Sequence, residues 1–261
     1  MTDADLLLRS DAAGIATLTL NQPAKFNVLS DQMMTALQTT FDQIAEDRTV
    51  RVVVLAGNGK AFCAGHDVKE MVANSDEQAI RALFRQCSRM MLTITSLPQP
   101  VIARVHGIAA AAGCQLVAQC DLAVASTAAS FATSGIGIGL FCGTPSVAVT
   151  RNLPRKQAME LLLTGEFIDA EKALQYGLVN RLSEPDMLDQ TVAALATRIA
   201  KQGPAFIARG KQLFYTQIEQ GMEAAYAQAT ECMVSNMKMA DARAGLKAFV
   251  DKKPMPEWPD R

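Results

Sequence analysis

The sequence has few of the residues from which metal sites and nucleophile sites are built. It contains only two histidines, His66 and His106, which excludes a metal site with several histidine ligands. Its six cysteines are scattered, with no C-x-x-C pair and no zinc-type spacing, so we expect buried thiols in a reducing compartment. The motifs G-x-S-x-G, G-x-x-x-x-G-K-[ST] and H-E-x-x-H are absent as well. We therefore expect no bound metal ion, no phosphate-binding P-loop and no serine nucleophile elbow.

The sequence also has little excess charge and no long apolar run. A formal net charge of −1 provides no electrostatic attraction for nucleic acid or for an anionic membrane. No apolar segment is long enough to span a bilayer. The acidic start of the chain is typical neither of a secretory signal nor of an arginine-rich transit peptide. The composition therefore predicts a soluble cytoplasmic protein without a nucleic-acid or membrane partner.

The apolar pattern divides the chain into two parts. In the first part, continuous apolar strands such as residues 52–55 alternate with amphipathic helices, which is typical of an α/β fold. From Asp186 onward every pattern is helical. We therefore predict an α/β core over residues 1–185 and a helical C-terminal region over residues 186–261.

Several elements are predicted individually. Ser30 is expected to cap a helix over residues 31–47, and a longer helix is expected over residues 75–97. Short β-branched runs predict buried strands over residues 101–105 and 178–182.

The helical tail carries more apolar residues than a short tail can bury on itself. We therefore expect these residues to contact other copies of the chain. The residues in question are Phe206, Leu213, Phe214, Met222 and Tyr226.

Two places combine a strand, a glycine turn and the start of a helix: residues 62–67 and 106–115. In the second, residues 109–112 are alanines, which predicts a helix whose first turn has almost no side chains. Its free N–H groups could then reach a ligand oxygen, although close packing of a small-residue helix on a sheet explains the same pattern. Two such N–H donors on one carbonyl oxygen would form an oxyanion hole, which suits chemistry at an activated acyl group.

Few side chains near these junctions could transfer protons or act as nucleophiles. His66, beside Asp67, is either a general base or a turn residue. His106 is expected to cap or fill the turn before its helix. Cys142 lies in a glycine-rich loop over residues 135–143 and is expected to be an inert buried thiol rather than a nucleophile.

At the two junctions the sequence strongly resembles the crotonase superfamily, the enoyl-CoA hydratase/isomerase family. Residues 109–116 and 139–142 are most similar to the branch of enoyl-CoA hydratase domain-containing protein 3. The resemblance implies a crotonase-type spiral of ββα turns, with a helical C-terminal region that builds homotrimers, usually paired into hexamers. The resemblance spans most of the chain in family order, through residues 21–27, 60–70, 100–121, 163–179 and 245–253.

The resemblance also implies a site. The ligand would be an acyl-CoA thioester, with coenzyme A as part of the substrate and no permanently bound cofactor. The oxyanion donors would be the backbone N–H groups of His66 and Ala112. The adenine and pantetheine path would be lined by Ala24, Lys25, Phe26, Ala64, Asp67 and Val68.

The sequence departs from the family pattern at the acid–base pair. Hydratases of this family carry glutamates at the positions of Gln115 and Gly135, and both carboxylates handle the water and the proton. Efficient crotonyl-CoA hydration is therefore not expected. Restoring both glutamates should raise hydration if the loops keep the family geometry. A positive φ at Gly135 would be an obstacle to that change.

Two functions are left open. One is an acyl-CoA enzyme in fatty acid metabolism, most simply of the lyase or isomerase class, that acts other than by standard hydration; isomerisation, thioester hydrolysis, decarboxylation and another lyase reaction are the alternatives. His66, Asp67 or a group in residues 135–143 would then transfer the proton. The other is a non-catalytic acyl-CoA-binding or assembly protein.

Overall fold

The computed structural model describes residues 6–258 and contains two sheets. The larger sheet has the strand order β1-β2-β3-β5-β7-β10, and the smaller has the order β4-β6-β8-β9. All pairings are parallel except β1 with β2 and β8 with β9. The strands are Leu7–Ala12 (β1), Ile15–Leu20 (β2), Val52–Gly57 (β3), Ala61–Cys63 (β4), Val101–Val105 (β5), Ile108–Ala110 (β6), Leu122–Ser126 (β7), Ser130–Ala132 (β8), Ile168–Asp169 (β9) and Arg181–Ser183 (β10).

The two sheets arise from a repeated ββα unit. In each of the pairs β3–β4, β5–β6 and β7–β8, the first strand joins the large sheet and the second joins the small one. A helical segment then leads to the next unit, so the chain advances as a spiral. The predicted α/β spiral with a helical C-terminal region is confirmed.

Helices follow each turn of the spiral and make up most of residues 188–250. Ser30 caps the first of them, since its Oγ accepts a hydrogen bond from Met33 N at 3.2 Å. The helices are Asp31–Glu46 (α1), Val68–Ala73 (α2), Glu77–Ser96 (α3), Ala112–Gln119 (α4), Gly143–Asn152 (α5), Arg155–Thr164 (α6), Ala170–Tyr176 (α7), Leu188–Ala200 (α8), Pro204–Gln217 (α9), Met222–Lys238 (α10) and Ala240–Val250 (α11).

The large sheet is covered on both faces, which explains the continuous apolar run of β3. All six residues of β3 are buried. On one face lies the main core; on the other, Val52, Val54 and Ile102 pack against Leu188 and Val192 of α8. A strand buried on both faces has no polar side to present, so apolar residues replace the usual alternation.

The later C-terminal helices contrast with α8. None of the described residues of α10 or α11 is buried. Helix α9 is anchored through Lys211, whose Nζ donates to Asp121 Oδ2 at 2.7 Å, and through Tyr215, whose hydroxyl donates to Asp121 Oδ1 at 2.9 Å.

The division of the chain into an α/β core and a helical region at residues 185 and 186 stays a prediction. Over the described chain, no helix has both the length and the apolar character needed to cross a membrane.

The structure corrects two sequence predictions. Ala109 and Ala110 belong to β6 rather than to the first turn of a helix, and α4 begins only at Ala112. Strand β6 pairs with both β4 and β8, and these tertiary hydrogen bonds override the helix propensity of alanine. The last strand of the large sheet lies at Arg181–Ser183, later than the predicted residues 178–182.

Candidate active site

The two strand–turn–helix junctions meet in the structure. Gly65 has φ +97°, and a Cβ on it would lie 3.0 Å from Ala110 O and 3.2 Å from Ala112 N. The left-handed φ and this close approach both require glycine. His66 directly follows, so the two segments that carry the implied oxyanion donors are packed against each other.

Helix α4 begins at the residue of one implied donor. Ala112 is its first residue, so the Ala112 N–H has no acceptor within the helix. The first turn is closed by Gln115 N, which donates to Ala111 O at 3.1 Å. Ala111 provides no side-chain cap. The helix start is therefore available to a ligand oxygen.

His66 and Ala112 line one cavity of about 680 Å³. Helices α2 and α3 contribute Val68, Met71 and Phe84 to a second wall, and residues 134–145 form the third. The polar side chains among the described lining residues are those of His66, Ser134, Cys142 and Thr144; no carboxylate, lysine or arginine is among them. The cavity is thus mostly apolar, with a few polar groups in its lining, as is typical of small-molecule sites.

The imidazole of His66 contacts an aromatic ring and has no polar partner within the described part of the chain. Its ring packs edge-on against Phe84, with centroids 5.6 Å apart and an interplanar angle of 88°. Both ring nitrogens are buried, and neither has a hydrogen-bond partner among residues 6–258. Burial lowers the pKa of His66. The ring is therefore a neutral imidazole at neutral pH.

Asp67, the neighbouring candidate for proton transfer, makes its contacts with the start of α2 and with Lys25. Its Oδ1 accepts from Lys69 N at 3.0 Å and from Glu70 N at 3.4 Å, which caps α2. Its Oδ2 lies 3.8 Å from Lys25 Nζ. It is not one of the residues lining the cavity. Asp67 thus caps α2 and faces Lys25, and it lies beside the cavity rather than in it.

The side chain of Asn27 holds the segment implied to bind coenzyme A. Its Oδ1 accepts from Gln22 N at 2.8 Å, and its Nδ2 donates to Asn58 O and Ala61 O, both at 2.8 Å. Asn27 itself has φ +54°, a conformation that asparagine tolerates better than most residues. The segment is therefore fixed against the end of β3 and the start of β4.

This segment runs beside the first junction. Ala64 N donates to Phe26 O at 3.0 Å, and Leu29 N donates to Gly65 O at 2.7 Å. These bonds bring together the residues of the implied adenine and pantetheine path, which are Ala24, Lys25, Phe26, Ala64, Asp67 and Val68. Of these, Ala64 and Val68 line the cavity.

The two positions where hydratases carry glutamate differ in their surroundings. Gln115 is buried at 4% exposure, does not line the cavity, and its Oε1 has no partner within the described chain. Gly135 does line the cavity, but a Cβ there would lie 2.6 Å from Leu140 O and 2.8 Å from Cys142 Sγ. Its φ is not left-handed, so the expected obstacle to a side chain is steric, not conformational.

This steric obstacle argues against a gain in hydration from restoring both glutamates, and the effect of that double substitution stays a prediction. The loop must first move the Leu140 carbonyl away from position 135. Cys142 would have to move as well.

Cys142 and His106 have modest roles in the structure. The Cys142 Sγ accepts from Gly135 N at 3.3 Å, and burial raises the pKa of this thiol. It is therefore protonated at neutral pH, as expected of an inert thiol. His106 Nε2 lies 2.9 Å from Gly59 O and the residue does not line the cavity, which agrees with the predicted turn-filling role.

Sequence reasoning did not find the apolar walls of the cavity. Met71 and Phe84 lie on helices whose patterns predict only core packing. The loop residues Ile138, Leu140 and Phe141 are apolar and lie between glycines, which was the one indication in the sequence that they are exposed.

Comparison with known proteins finds related sequences and structures that match nearly the whole chain. The family model described as "Enoyl-CoA hydratase/isomerase" matches residues 10–261. "Enoyl-CoA hydratase domain-containing protein 3, mitochondrial" of Danio rerio is 40% identical over 98% of this chain and 88% of the relative. A crystal structure of an enoyl-CoA hydratase of Mycobacterium smegmatis is 54% identical, with a TM-score of 0.95 over 97% of this chain and 98% of that one. The human enoyl-CoA hydratase domain-containing protein 3 structure is 38% identical, with a TM-score of 0.93 over 96% of this chain and 99% of that one.

Proposed function

The chain belongs to the enoyl-CoA hydratase/isomerase family, and we propose that it holds the thioester carbonyl of an acyl-CoA between the backbone N–H groups of His66 and Ala112. Coenzyme A enters as part of the substrate, along the path from Ala24–Phe26 to Val68. The proposal is supported by the contact of Gly65 with the start of α4 and by the shared cavity.

The paired N–H groups stabilise negative charge on the thioester oxygen. When a proton leaves the α-carbon, or a nucleophile adds to the carbonyl, that oxygen becomes an oxyanion. Each backbone donor contributes about 10²–10³-fold to the rate in a dry site. The donors are fixed by the fold before the ligand arrives, so little reorganisation is needed during the reaction.

The absence of a carboxylate among the described lining residues carries the functional proposal. Gln115 cannot exchange a proton near neutral pH, and Gly135 offers no side chain. His66 is a neutral imidazole in the cavity and, among the described lining residues, the one group suited to accept a proton at neutral pH. The chain is thus an acyl-CoA enzyme of the lyase or isomerase class in which His66 moves the proton, and it hydrates crotonyl-CoA poorly.

Asp67 has a positioning role in this proposal. By capping α2 and facing Lys25, it sets the wall along which the pantetheine arm lies.

A non-catalytic acyl-CoA-binding or assembly protein is the second candidate. It is favoured by the protonated Cys142 thiol and by the lack of both glutamates, which leave an oxyanion hole with little acid–base chemistry around it.

Crotonyl-CoA turnover and acyl-CoA binding, measured on the same preparation, test the proposal. We expect binding, with hydration about 10²–10⁴-fold slower than by a hydratase that carries both glutamates and is assayed alongside. A kcat equal to that hydratase's would show that another residue supplies the acid–base pair. Binding without turnover across a panel of enoyl-, saturated and branched acyl-CoAs would support the second candidate.

We also propose that the C-terminal helices build a homotrimer, alone or paired into a hexamer. Phe214, Met222, Tyr226 and Phe249 are between 53% and 77% exposed in the single chain. Burying such side chains against another copy removes apolar surface from water. Light scattering at micromolar concentration tests this, and a monomer would refute it.

The cellular setting is a proposal as well. A cytoplasmic location and a role in fatty acid metabolism stay predictions, and the Danio rerio relative is named mitochondrial.

A further inference from the structure

We infer that the thiol of Cys142 is the proton donor of the cavity: it delivers its proton to the α-carbon of the bound acyl group, while the imidazole of His66 accepts one from the γ-carbon. This inference rests on the proposed acyl-CoA site and names a second catalytic residue in it.

The sulfur of Cys142 occupies space that a side chain at position 135 would need. A Cβ on Gly135 would lie 2.8 Å from Cys142 Sγ, and both residues line the cavity. Position 135 is one of the two at which hydratases of the family carry a glutamate. The thiol therefore places an exchangeable hydrogen in the region where this chain has no carboxylate.

The hydrogen of this thiol is available to a ligand. Gly135 N donates to Cys142 Sγ at 3.3 Å, which is the one hydrogen bond of the thiol within residues 6–258. Because the sulfur is the acceptor in that bond, its own hydrogen has no partner in the described chain. A thiol is a weak donor, so this hydrogen can turn towards a ligand at little cost.

The thiol is protonated at neutral pH, as a proton donor must be. Burial raises the pKa of Cys142, and the hydrogen bond from Gly135 N partly opposes this shift. The same N–H group stabilises the thiolate that is left after the proton has gone, and so does the start of α5, which follows Cys142 directly. A protonated thiol is a poor nucleophile, so this residue is better suited to acid catalysis than to covalent catalysis.

His66 supplies the complementary group in the same cavity. Both of its ring nitrogens are buried and lack a hydrogen-bond partner in the described part of the chain. The neutral ring can accept a proton, whereas the Cys142 thiol can give one. Two groups of opposite function thus line one cavity, and neither donates a hydrogen bond to a described protein group.

The two groups belong to different walls. The His66 ring packs against Phe84 of α3. Cys142 precedes α5, which packs against α4. Burial and, to a smaller extent, the nearby Cys142 thiol raise the pKa of Cys114 in the first turn of α4. Since the thioester carbonyl is proposed to lie at this turn, Cys142 serves the adjacent α-carbon and leaves the γ-carbon to His66.

The proton transfers balance on an α,β-unsaturated thioester. His66 takes a proton from the γ-carbon, the electrons of that bond form a new β,γ double bond, and the thioester oxygen becomes an oxyanion. The oxyanion then returns its electron pair, and the α-carbon takes the proton of the Cys142 thiol. The product is the β,γ-unsaturated isomer. The imidazolium and the thiolate become neutral again by exchanging protons with water, and nothing is oxidised or reduced.

Deuterium exchange into crotonyl-CoA separates the two residues within one substrate. In D₂O, His66 alone can exchange the γ-hydrogens, because it removes a proton and returns a deuteron. Exchange at the α-carbon also requires delivery from Cys142. Proton NMR resolves the two positions, and calorimetry gives the Kd of butyryl-CoA for the same preparation. We expect the parent to exchange both positions, and His66→Gln to lose about 10²-fold or more at both.

Variants of Cys142 test the donor itself. Cys142→Ala should lower α-exchange by about 10²-fold or more, with γ-exchange and the Kd of butyryl-CoA close to the parent values. Cys142→Ser should show a similar loss, because serine fills the space of the thiol but its hydroxyl is a far weaker acid. Cys232→Ser is the matched control, since Cys232 is a free cysteine of α10 that does not line the cavity.

The outcomes separate this inference from the proposal beneath it. If no acyl-CoA binds, the proposed function fails and the inference fails with it. If the parent binds butyryl-CoA but exchanges neither position of crotonyl-CoA, the non-catalytic candidate is supported and the inference is overturned. If α-exchange persists in Cys142→Ala, or if α- and γ-exchange fall equally, the acyl-CoA site stands and Cys142 is not the donor.

Discussion

A side chain on Gly113 would place its Cβ 2.0 Å from the carbonyl oxygen of Cys63. Even the smallest side chain is therefore excluded at the second residue of α4. This contact holds the start of the helix against the end of β4, three residues before His66. The distance between the two implied oxyanion donors thus depends on a glycine that touches no ligand.

Gly113→Ala should destabilise the protein and weaken acyl-CoA binding together. The added methyl forces α4 away from β4, and overpacking of this kind costs about 1–3 kcal/mol. Urea denaturation and calorimetric titration with acetyl-CoA measure the two effects. Gly210→Ala is the control, because a Cβ there meets nothing within 4 Å and alanine favours the interior of α9. Parent-like stability and affinity in Gly113→Ala would contradict the contact.

Ala112→Val should lower acyl-CoA affinity tenfold or more. Ala112 is 1% exposed and its N–H is the proposed donor, so two added methyl groups crowd the thioester oxygen. Ala82→Val, at an exposed position of α3, controls for the effect of a β-branched residue in a helix. If Ala112→Val binds acyl-CoA as tightly as the parent, the assigned site is wrong.

Gln115→Glu combined with Gly135→Glu should not produce an efficient hydratase. A Cβ at position 135 meets Leu140 O at 2.6 Å, and a backbone atom cannot swing aside as a side chain can. We expect a loss of about 1–3 kcal/mol in stability and crotonyl-CoA hydration within tenfold of the parent. Gly137→Glu, in the same loop with no atom within 4 Å of its Cβ, should fold normally. A hundredfold gain in kcat at parent stability would show that the loop opens readily.

Lys211→Met should destabilise the protein by about 3–5 kcal/mol, because it leaves the Asp121 carboxylate buried without its cation. The Lys211 side chain is 5% exposed, and its Nζ also donates to two backbone carbonyls. Arg151→Met removes an ion pair with Glu219 whose side chains are 56% and 58% exposed, and it should cost at most about 1 kcal/mol. Urea midpoints compare the two. Equal effects would contradict the buried pair.

Acidification should destabilise the folded protein through His66. Burial lowers its pKa below the ordinary value of 6.5, so below about pH 6.5 the unfolded chain binds a proton that the folded protein does not. The free energy of unfolding therefore decreases as the pH is lowered from 6.5, until the pH reaches the lower pKa of His66 in the folded protein. His66→Gln should lose less stability than the parent between pH 7.5 and 5.5, as followed by urea midpoints. His106, whose pKa is lowered by burial too, accounts for a remaining slope. Identical slopes would contradict a neutral, buried His66.

The sequence pattern by itself determined those elements that are stabilised mainly by interactions between residues close together in the chain. Helix α1 lies within one residue of its predicted end, with Ser30 as its cap, because the capping bond and the apolar stripe join residues three and four apart. The continuous apolar run at β3 likewise indicated a strand buried on both faces. Together with the family motifs, such patterns predicted the spiral fold and the segments that meet at the candidate site.

Only the tertiary structure decided what lies between those segments. Ala109 and Ala110 form a strand because β4 and β8, far away in sequence, supply hydrogen bonds that outweigh the helix propensity of alanine. The exclusion of a side chain at Gly135 comes from the path of the loop to Leu140. Such facts depend on distances between atoms that local periodicity does not encode, so the class of fold follows from the sequence, while the shape of the cavity follows from the packing.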